Sequence, residues 1–214
     1  MSAKIRFADT VALAMLGGTA AITASVYERL PAYIPTHFDL HGRPNGWMSR
    51  PAGATILPLV GLAIWLLLRF GALVLPRDWR DRFERSPVSV VAALSVGLLA
   101  ALQYVVLHAA LHPRQAAGSS INLVLAAFWI ALGLVLPRVR RNPWIGIRTA
   151  WTLSSDENWA RTHRFGGYAF TAGGIVALFC TFASAGWLAV LVIVASALVP
   201  GVYSLVLARR AKEL

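Results

Sequence analysis

Long intervals without a charged side chain most constrain how this chain can fold. No Asp, Glu, Lys or Arg occurs at residues 10–27, 86–113 or 115–137, and a fourth interval, residues 51–76, is interrupted only by Arg69. A helix that crosses the core of a bilayer needs ~20 mostly apolar residues, so each interval is long enough for one span. The intervals therefore predict a membrane protein that crosses the bilayer several times.

The last charge-free interval, residues 165–208, is about twice as long as one spanning helix requires. Ser184, Ala185, Gly186 and Trp187 lie near its middle and supply a turn with an interfacial tryptophan. The interval is therefore split into two spans. The predicted fold is all-α: a polytopic membrane protein built as a bundle of about six transmembrane helices.

The chain is predicted to form one compact membrane unit with two regions. Residues 1–137 hold four spans and an outward loop at 29–52, and residues 138–214 hold a polar connector and two C-terminal spans. Two pairs of adjacent glycines, at 17–18 and at 173–174, predict close helix approach. Gln103 and Asn122 are uncharged polar residues within spans and are expected to form interhelical hydrogen bonds.

The basic residues are divided unevenly between the predicted faces of the membrane. Of 20 Lys and Arg residues, 15 fall in the N-terminus, the second and fourth connectors and the tail, including Lys4, Arg6 and Lys212, while 4 fall in the first and third connectors. Positive residues favour the cytoplasmic side, so both termini are predicted to be cytoplasmic. Because the arginines lie between apolar runs, the net charge of +11 indicates membrane lipid as a partner and not nucleic acid.

The outward loop is rich in proline and glycine, which predicts a stiff series of turns. His37, Asp39 and His41 alternate within it, so on an extended backbone their side chains share one side. Two imidazoles and a carboxylate are a plausible ligand set for Zn²⁺ or Cu²⁺. The alternative is favoured, because this spacing is common by chance and no fourth ligand is obvious: these residues are solvated or cap turns, and no cofactor is bound.

The connector from Asn142 to Gly167 is the longest polar interruption of the chain. Ser154 followed by Glu157 predicts a capping box at the start of the fifth span. On that helix Trp159, Thr162, His163 and Gly166 share one stripe. His163 with Arg148 is a candidate acid/base and anion-binding pair. The favoured interpretation is structural, because catalysis lacks a nucleophile and a convincing carboxylate partner.

The same connector, NPWIGIRTAWTLSSDENWARTHRFGG, closely resembles the signature of the Sdp immunity-protein family of bacterial membrane proteins. The segment from Ile34 to Trp47 resembles the small domain of unknown function often found ahead of it. The resemblance implies an inner-membrane protein that protects against a membrane-active toxin peptide. It also implies signalling, in which a transcriptional repressor is held at the membrane when toxin is present.

The leading hypothesis is thus an immunity or sensor protein. The first alternative is a membrane-embedded enzyme that acts on a lipid or peptide through His163 and Arg148. The second is a small transporter, disfavoured because no predicted span contains an Asp or Glu that could couple ions. The candidate ligand-binding residues are His37, Phe38, Asp39, His41 and Trp47. The candidate functional residues of the connector are Asn142, Gly146, Arg148, Thr149, Trp151, Thr152, Trp159, Thr162 and His163.

Overall fold

Six long helices dominate the structure, a computed structural model that describes residues 6–211. All six are long and apolar enough to cross a membrane, which confirms the predicted bundle. Lys4 and Lys212, which entered the prediction of orientation, lie outside the described residues. The helices are α1 (Phe7–Val26), α2 (Arg50–Phe70), α4 (Val88–Leu111), α5 (Gly118–Val135), α7 (Asp156–Phe182) and α8 (Gly186–Arg210).

Shorter elements join the spans, and the charge-free intervals did not predict them. Between α1 and α2, β1 (Tyr33–Phe38) and β2 (Pro44–Ser49) form an antiparallel hairpin in which Pro35 pairs with Trp47 and His37 with Gly46. The helix α3 (Arg77–Glu84) precedes α4, and α6 (Ala150–Ser154) precedes α7. The outward loop is thus an ordered hairpin followed directly by α2, and not only a series of turns.

Helix α7 packs closely against α5 and α8 through small residues, as the glycines at 173–174 predicted. A Cβ atom built on Gly174 would lie 2.8 Å from the carbonyl oxygen of Ala126 in α5, and one built on Gly173 would lie 2.6 Å from the side chain of Ser196 in α8. The corresponding prediction for the glycines at 17–18 was wrong for the described structure, since a Cβ atom there meets nothing within 4 Å.

Polar side chains within the spans link the helices as expected. The side-chain amide of Gln103 in α4 donates to the carbonyl oxygen of Ala54 in α2 at 3.2 Å. The side-chain amide of Asn122 in α5 donates to the carbonyl oxygen of Gly186 at the start of α8 at 3.1 Å. An unpaired side-chain amide is costly in lipid, and each of these bonds gives the amide a partner on a neighbouring helix. Each bond therefore fixes the relative position of two helices.

The connectors gather at the two ends of the bundle. At one end the backbone N–H of Arg140 donates to the hydroxyl of Ser86 at 3.0 Å, which joins the second and fourth connectors. At the other end the hairpin meets the start of α5, where Gly42 and Gly118 approach so closely that a Cβ atom on Gly42 would lie 2.3 Å from the Gly118 backbone. The more basic connectors therefore share one end.

Candidate functional site

The signature residues form a compact polar junction beside the start of α7. We define this signature junction as connector residues 142–152, the first turns of α7 and Ser204 of α8. It begins with Asn142, which is fully buried. Its side-chain carbonyl accepts from the backbone N–H groups of Trp144 and Ile145, both at 2.8 Å, and its amide donates to the carbonyl oxygen of Arg140 at 2.7 Å. Asn142 therefore folds the connector into a tight turn.

His163 lies at the centre of the junction and is fully buried. Its Nδ1 donates to the carbonyl oxygen of Trp159 at 2.9 Å, and its Nε2 accepts the backbone N–H of Ile147 at 3.0 Å. The imidazole also stacks on the Trp159 indole, with ring centroids 4.0 Å apart. An Nε2 that accepts a hydrogen bond carries no proton, so this arrangement holds the neutral ring and leaves no nitrogen free for substrate.

Gly146 makes room for this stack. It has a φ of +113°, a backbone conformation that favours glycine, and a Cβ atom built on it would lie 2.4 Å from Nε2 of His163 and 3.0 Å from the Trp159 ring. Trp159 is itself held by a bond from its indole N–H to the carbonyl oxygen of Val139 at 2.8 Å. The connector thus passes directly over the aromatic pair.

Hydroxyl and amide groups join the connector to α7 and α8. Thr149 caps α6 by accepting the backbone N–H of Thr152 at 3.1 Å, and its hydroxyl lies 3.0 Å from that of Ser204. Asn158 donates to the carbonyl oxygen of Ser204 at 2.9 Å and accepts the hydroxyl of Thr162 at 3.0 Å. The candidate residues on both elements therefore belong to one hydrogen-bonded unit.

Two candidate residues of the connector lie outside this unit. Arg148 is exposed and donates to the carbonyl oxygen of Pro143 at 2.6 Å, and Trp151 is 36% exposed. The proposed acid/base pair of Arg148 and His163 is not formed, because each side chain is held by backbone groups of the connector. In the structure the bond from Arg148 stabilises the turn after Pro143.

The predicted capping box was wrong by one residue. The N-cap of α7 is Ser155, whose hydroxyl accepts the backbone N–H of Asn158 at 3.2 Å. Ser154 is instead the last residue of α6, and its hydroxyl donates to the carbonyl oxygen of Trp151 at 3.0 Å. A separate short helix therefore uses Ser154 before α7 begins.

An arginine pair on Asp156 was not predicted from the sequence. Arg141 donates to both carboxylate oxygens of Asp156, at 2.6 and 3.3 Å, and Arg82 of α3 donates to one of them at 2.5 Å. The hydrogen bond to Asp156 raises the pKa of the Arg82 guanidinium. Asp156 at the start of α7 thereby ties α3 to the connector across 74 residues of sequence.

The five outward candidate residues lie on or beside the hairpin, but His37, Asp39 and His41 do not form the metal-ligand set that was considered as the less favoured alternative. His37 bonds to the side chain of Asn45, and Asp39 accepts the backbone N–H groups of His41 and Arg43 at 2.8 and 2.9 Å. These bonds, that of Arg43 first, lower the pKa of the Asp39 carboxyl. Strand β1 ends at Phe38 and a turn follows, so the alternation on which the prediction rested is lost. Among residues 6–211 no group of three His, Cys, Asp or Glu is placed to hold a metal ion.

An apolar pocket of about 330 Å³ lies beneath the hairpin. His37, Phe38 and Asp39 line it from above, and side chains of α2, α4, α5 and α8 line it from below. Trp47 stands outside the pocket and is 57% exposed. The hairpin therefore has two apolar features, a pocket below it and an exposed aromatic side chain on it.

A buried acidic residue was also missed, at the start of α1. Asp9 is 3% exposed and accepts the indole N–H of Trp65 at 3.3 Å, while Nε of Arg69 lies 3.9 Å from its carboxylate. The expectation that no span contains an acidic residue was wrong, because α1 begins at Phe7 and includes Asp9. Arg69, the one charged residue within the interval 51–76, pairs with Asp9 between α1 and α2.

Comparison with known families matches both regions of the chain. Residues 138–204 match the model of the SdpI/YfhL protein family, and residues 14–62 match a domain of unknown function, DUF1648. The predicted resemblance to the Sdp immunity-protein family with a small N-terminal domain is confirmed. No curated protein and no solved structure gives a match. At the level of the family, the first match supports a membrane immunity protein against a toxin.

Proposed function

We propose that this chain, whose residues 138–204 belong to the SdpI/YfhL family, is an immunity or sensor protein for a membrane-active toxin peptide. The family match is the observation that carries the proposal, because it covers the signature junction, the span α7 and most of the span α8. We place the protein in the bacterial inner membrane with both termini in the cytoplasm, since the basic connectors lie at one end of the bundle.

The outward hairpin is the proposed contact for the peptide. A peptide that acts on membranes must expose apolar side chains, and the pocket beneath the hairpin is lined mainly by apolar groups and is large enough to bury one. Phe38 lines the pocket together with His37 and Asp39, and His41 and Trp47 lie on the hairpin outside it. The exposed Trp47 adds an amphipathic surface of the kind enriched where peptides bind.

The inward end is the proposed contact for a regulator such as a transcriptional repressor. Most polar side chains of the signature junction are already paired, so they hold the connector in shape and are not available to a partner. The side chains of Arg148 and Trp151 remain exposed on this rigid support. Arginine and tryptophan are enriched among residues that dominate protein interfaces.

The enzyme and transporter alternatives gain no support from this geometry. His163 is buried with both ring nitrogens bonded, whereas acid/base catalysis requires a nitrogen within reach of substrate. The carboxylate of Asp9 is paired with Arg69 and the Trp65 indole.

Survival of toxin-sensitive bacteria tests the proposal. The intact chain is expressed and cells are exposed to a panel of purified membrane-active bacterial peptides. We expect the wild type to raise the dose of at least one peptide needed for half-maximal killing, and Trp47→Ala to reduce that protection. Trp187→Ala is the matched control, since Trp187 is 49% exposed at the same predicted face. Unchanged killing by every peptide, at membrane levels verified by immunoblot, would contradict the proposal.

Labelling of introduced cysteines tests the orientation separately. In a Cys180→Ala background, cysteines replacing the exposed residues Arg114 and Arg148 are treated with a membrane-impermeant maleimide. We expect the residue 114 site to react in intact cells and the residue 148 site to react only after lysis. The reverse pattern would invert the proposed topology.

A further inference from the structure

A basic groove of about 840 Å³ lies between α3 and the start of α7, at the end of the bundle that holds the signature junction. We propose that this groove binds the phosphate of an anionic phospholipid headgroup. The inference is independent of toxin immunity, because it rests on the charge of the groove and on its position at the proposed cytoplasmic end of the bundle. Five arginines line it: Arg82, Arg85, Arg138, Arg140 and Arg141.

The arginines of the groove divide into those already engaged and those free for a ligand. Arg82 and Arg141 bind Asp156, and Arg138 donates to the carbonyl oxygen of Leu134 at 2.6 Å. Within residues 6–211 the guanidinium groups of Arg85 and Arg140 have no hydrogen-bond or ion-pair partner, and both residues are exposed. A phosphate oxygen suits such a pair, since guanidinium groups bind phosphate with charge-assisted bonds.

The position of the groove favours a lipid over a soluble ligand. Its wall at residues 137–141 directly follows the span α5, and Leu134, one turn before Arg138, is 58% exposed on that span. An exposed apolar side chain therefore lies one turn from Arg138 on the side of the span, where it can contact an acyl chain. Basic pockets between spans on the cytoplasmic side are the usual sites for anionic headgroups.

Carboxylates in the same groove reduce its affinity for an anionic ligand. Asp156 is neutralised by two arginines, but Asp78 and Asp81 are exposed on the α3 side and oppose an anion. Their substitution by asparagine removes this repulsion with little change of shape. Removing the free arginines should therefore weaken binding of the anionic headgroup, and removing the two aspartates should strengthen it. A general loss of stability would not produce effects of opposite sign.

Lipid-dependent thermal unfolding tests the proposal on the purified full chain. The protein in a zwitterionic detergent at about 0.3 M salt, where general surface attraction is screened, is titrated with phosphatidylglycerol, phosphatidylcholine or inorganic phosphate. We expect only phosphatidylglycerol to raise the melting temperature. The Arg85→Ala/Arg140→Ala variant should need about 10- to 30-fold more of it for the same rise. The Asp78→Asn/Asp81→Asn variant should need less than the wild type.

Arg209→Ala/Arg210→Ala is the matched control, because it removes the same charge from exposed positions on the same predicted face outside the groove. We expect it to change the lipid requirement by less than about twofold. Arg85→Lys/Arg140→Lys keeps the charge and should bind with intermediate strength, which preserves the test if the alanine variant does not fold.

Three results would overturn the proposal. An equal loss in the control pair would show general surface attraction, and an equal rise with inorganic phosphate would show a site for a soluble anion. The third result is displacement of the lipid by polyglutamate at a concentration below that at which phosphatidylglycerol raises the melting temperature; this result would indicate an acidic protein segment as the occupant.

Discussion

Replacing Gly146 with alanine tests whether the connector is held against the Trp159 and His163 pair as the structure shows. The substitution adds one methyl group and changes no charge. At this position the new Cβ atom would lie 2.4 Å from Nε2 of His163 and 3.0 Å from the Trp159 ring, with φ at +113°. The connector or the imidazole must therefore move.

The expected cost has three parts. A residue other than glycine in this backbone region costs about 1–3 kcal/mol, and overpacking of a tight site costs about 1–3 kcal/mol. Displacement of His163 also weakens the hydrogen bond from Ile147, which contributes about 1 kcal/mol. Because one movement relieves part of each effect, we expect Gly146→Ala to lower the free energy of unfolding by about 3–5 kcal/mol.

Reversible unfolding in mixed micelles, followed by tryptophan fluorescence, measures this change. Gly201→Ala in α8 is the matched control, since a Cβ atom there meets nothing within 4 Å. The control should alter stability by no more than about 1 kcal/mol, in the stabilising direction, because alanine favours a helix interior over glycine.

A double-mutant cycle identifies the partner of the clash. In a His163→Ala background the imidazole is absent, so Gly146→Ala should cost at least about 1 kcal/mol less than in the wild type. A Gly146→Ala protein as stable as the wild type would refute the described packing. An equal cost in both backgrounds would show that His163 is not the group being displaced.

Three further predictions concern single side chains. Asp156→Asn should lower stability by no more than about 1 kcal/mol, since the carboxylate is largely exposed, and the difference should disappear in 1 M salt during chemical unfolding. Asn142→Ala should cost about 2–4 kcal/mol in the same assay, because it strands buried backbone groups, whereas Asn45→Ala at an exposed position should cost much less. The folded-state pKa of Asp39 is lowered, so its carboxylate should stabilise the turn above about pH 4 and lose that effect as the pH falls through the folded pKa. The protection factor of the His41 amide, which corrects for the pH dependence of intrinsic exchange, should therefore fall in the wild type as the pH drops through the folded pKa. In Asp39→Ala, which has no side-chain acceptor, that protection factor should be low both above and below this pH.

The six spans were predictable because lipid excludes charge from each helix separately. This rule needs only the sequence of one segment, so intervals such as 86–113 and 115–137 locate α4 and α5 closely. The turn predicted near Gly186 likewise separates α7 from α8. The composition of one segment is therefore sufficient to locate a helix that is surrounded by lipid.

The hairpin was not predictable from the same information, because its formation depends on distant contacts. Ile34 on β1 is fully buried and packs against Gly53 of α2, where a Cβ atom would lie 2.9 Å from its side chain. The prolines of the loop correctly exclude a helix, but they do not indicate that residues 33–38 pair with 44–49. A covering surface supplied by α2 and α4 decides that pairing.

The pairing of acidic residues was missed for a related reason. Asp9 immediately precedes the first charge-free interval and so predicts the boundary of a span, since a carboxylate is costly in lipid. Trp65 and Arg69 reduce that cost by binding it, and they lie more than 50 residues away in the sequence. The sequence of one helix does not contain the partner that makes its charge tolerable.

The signature residues were recognisable as a group, but their roles depend on pairing that only the fold supplies. A polar connector at a membrane boundary has the same composition whether its side chains hold the chain in place or bind a ligand. Thr149 and Asn158 are paired with Ser204, which enters from α8 46–55 residues later, and His163 is paired on both nitrogens. A buried polar group that exchanged such a partner for a ligand would first have to break these bonds. The regulator proposed for this end would therefore contact the exposed side chains that the junction supports.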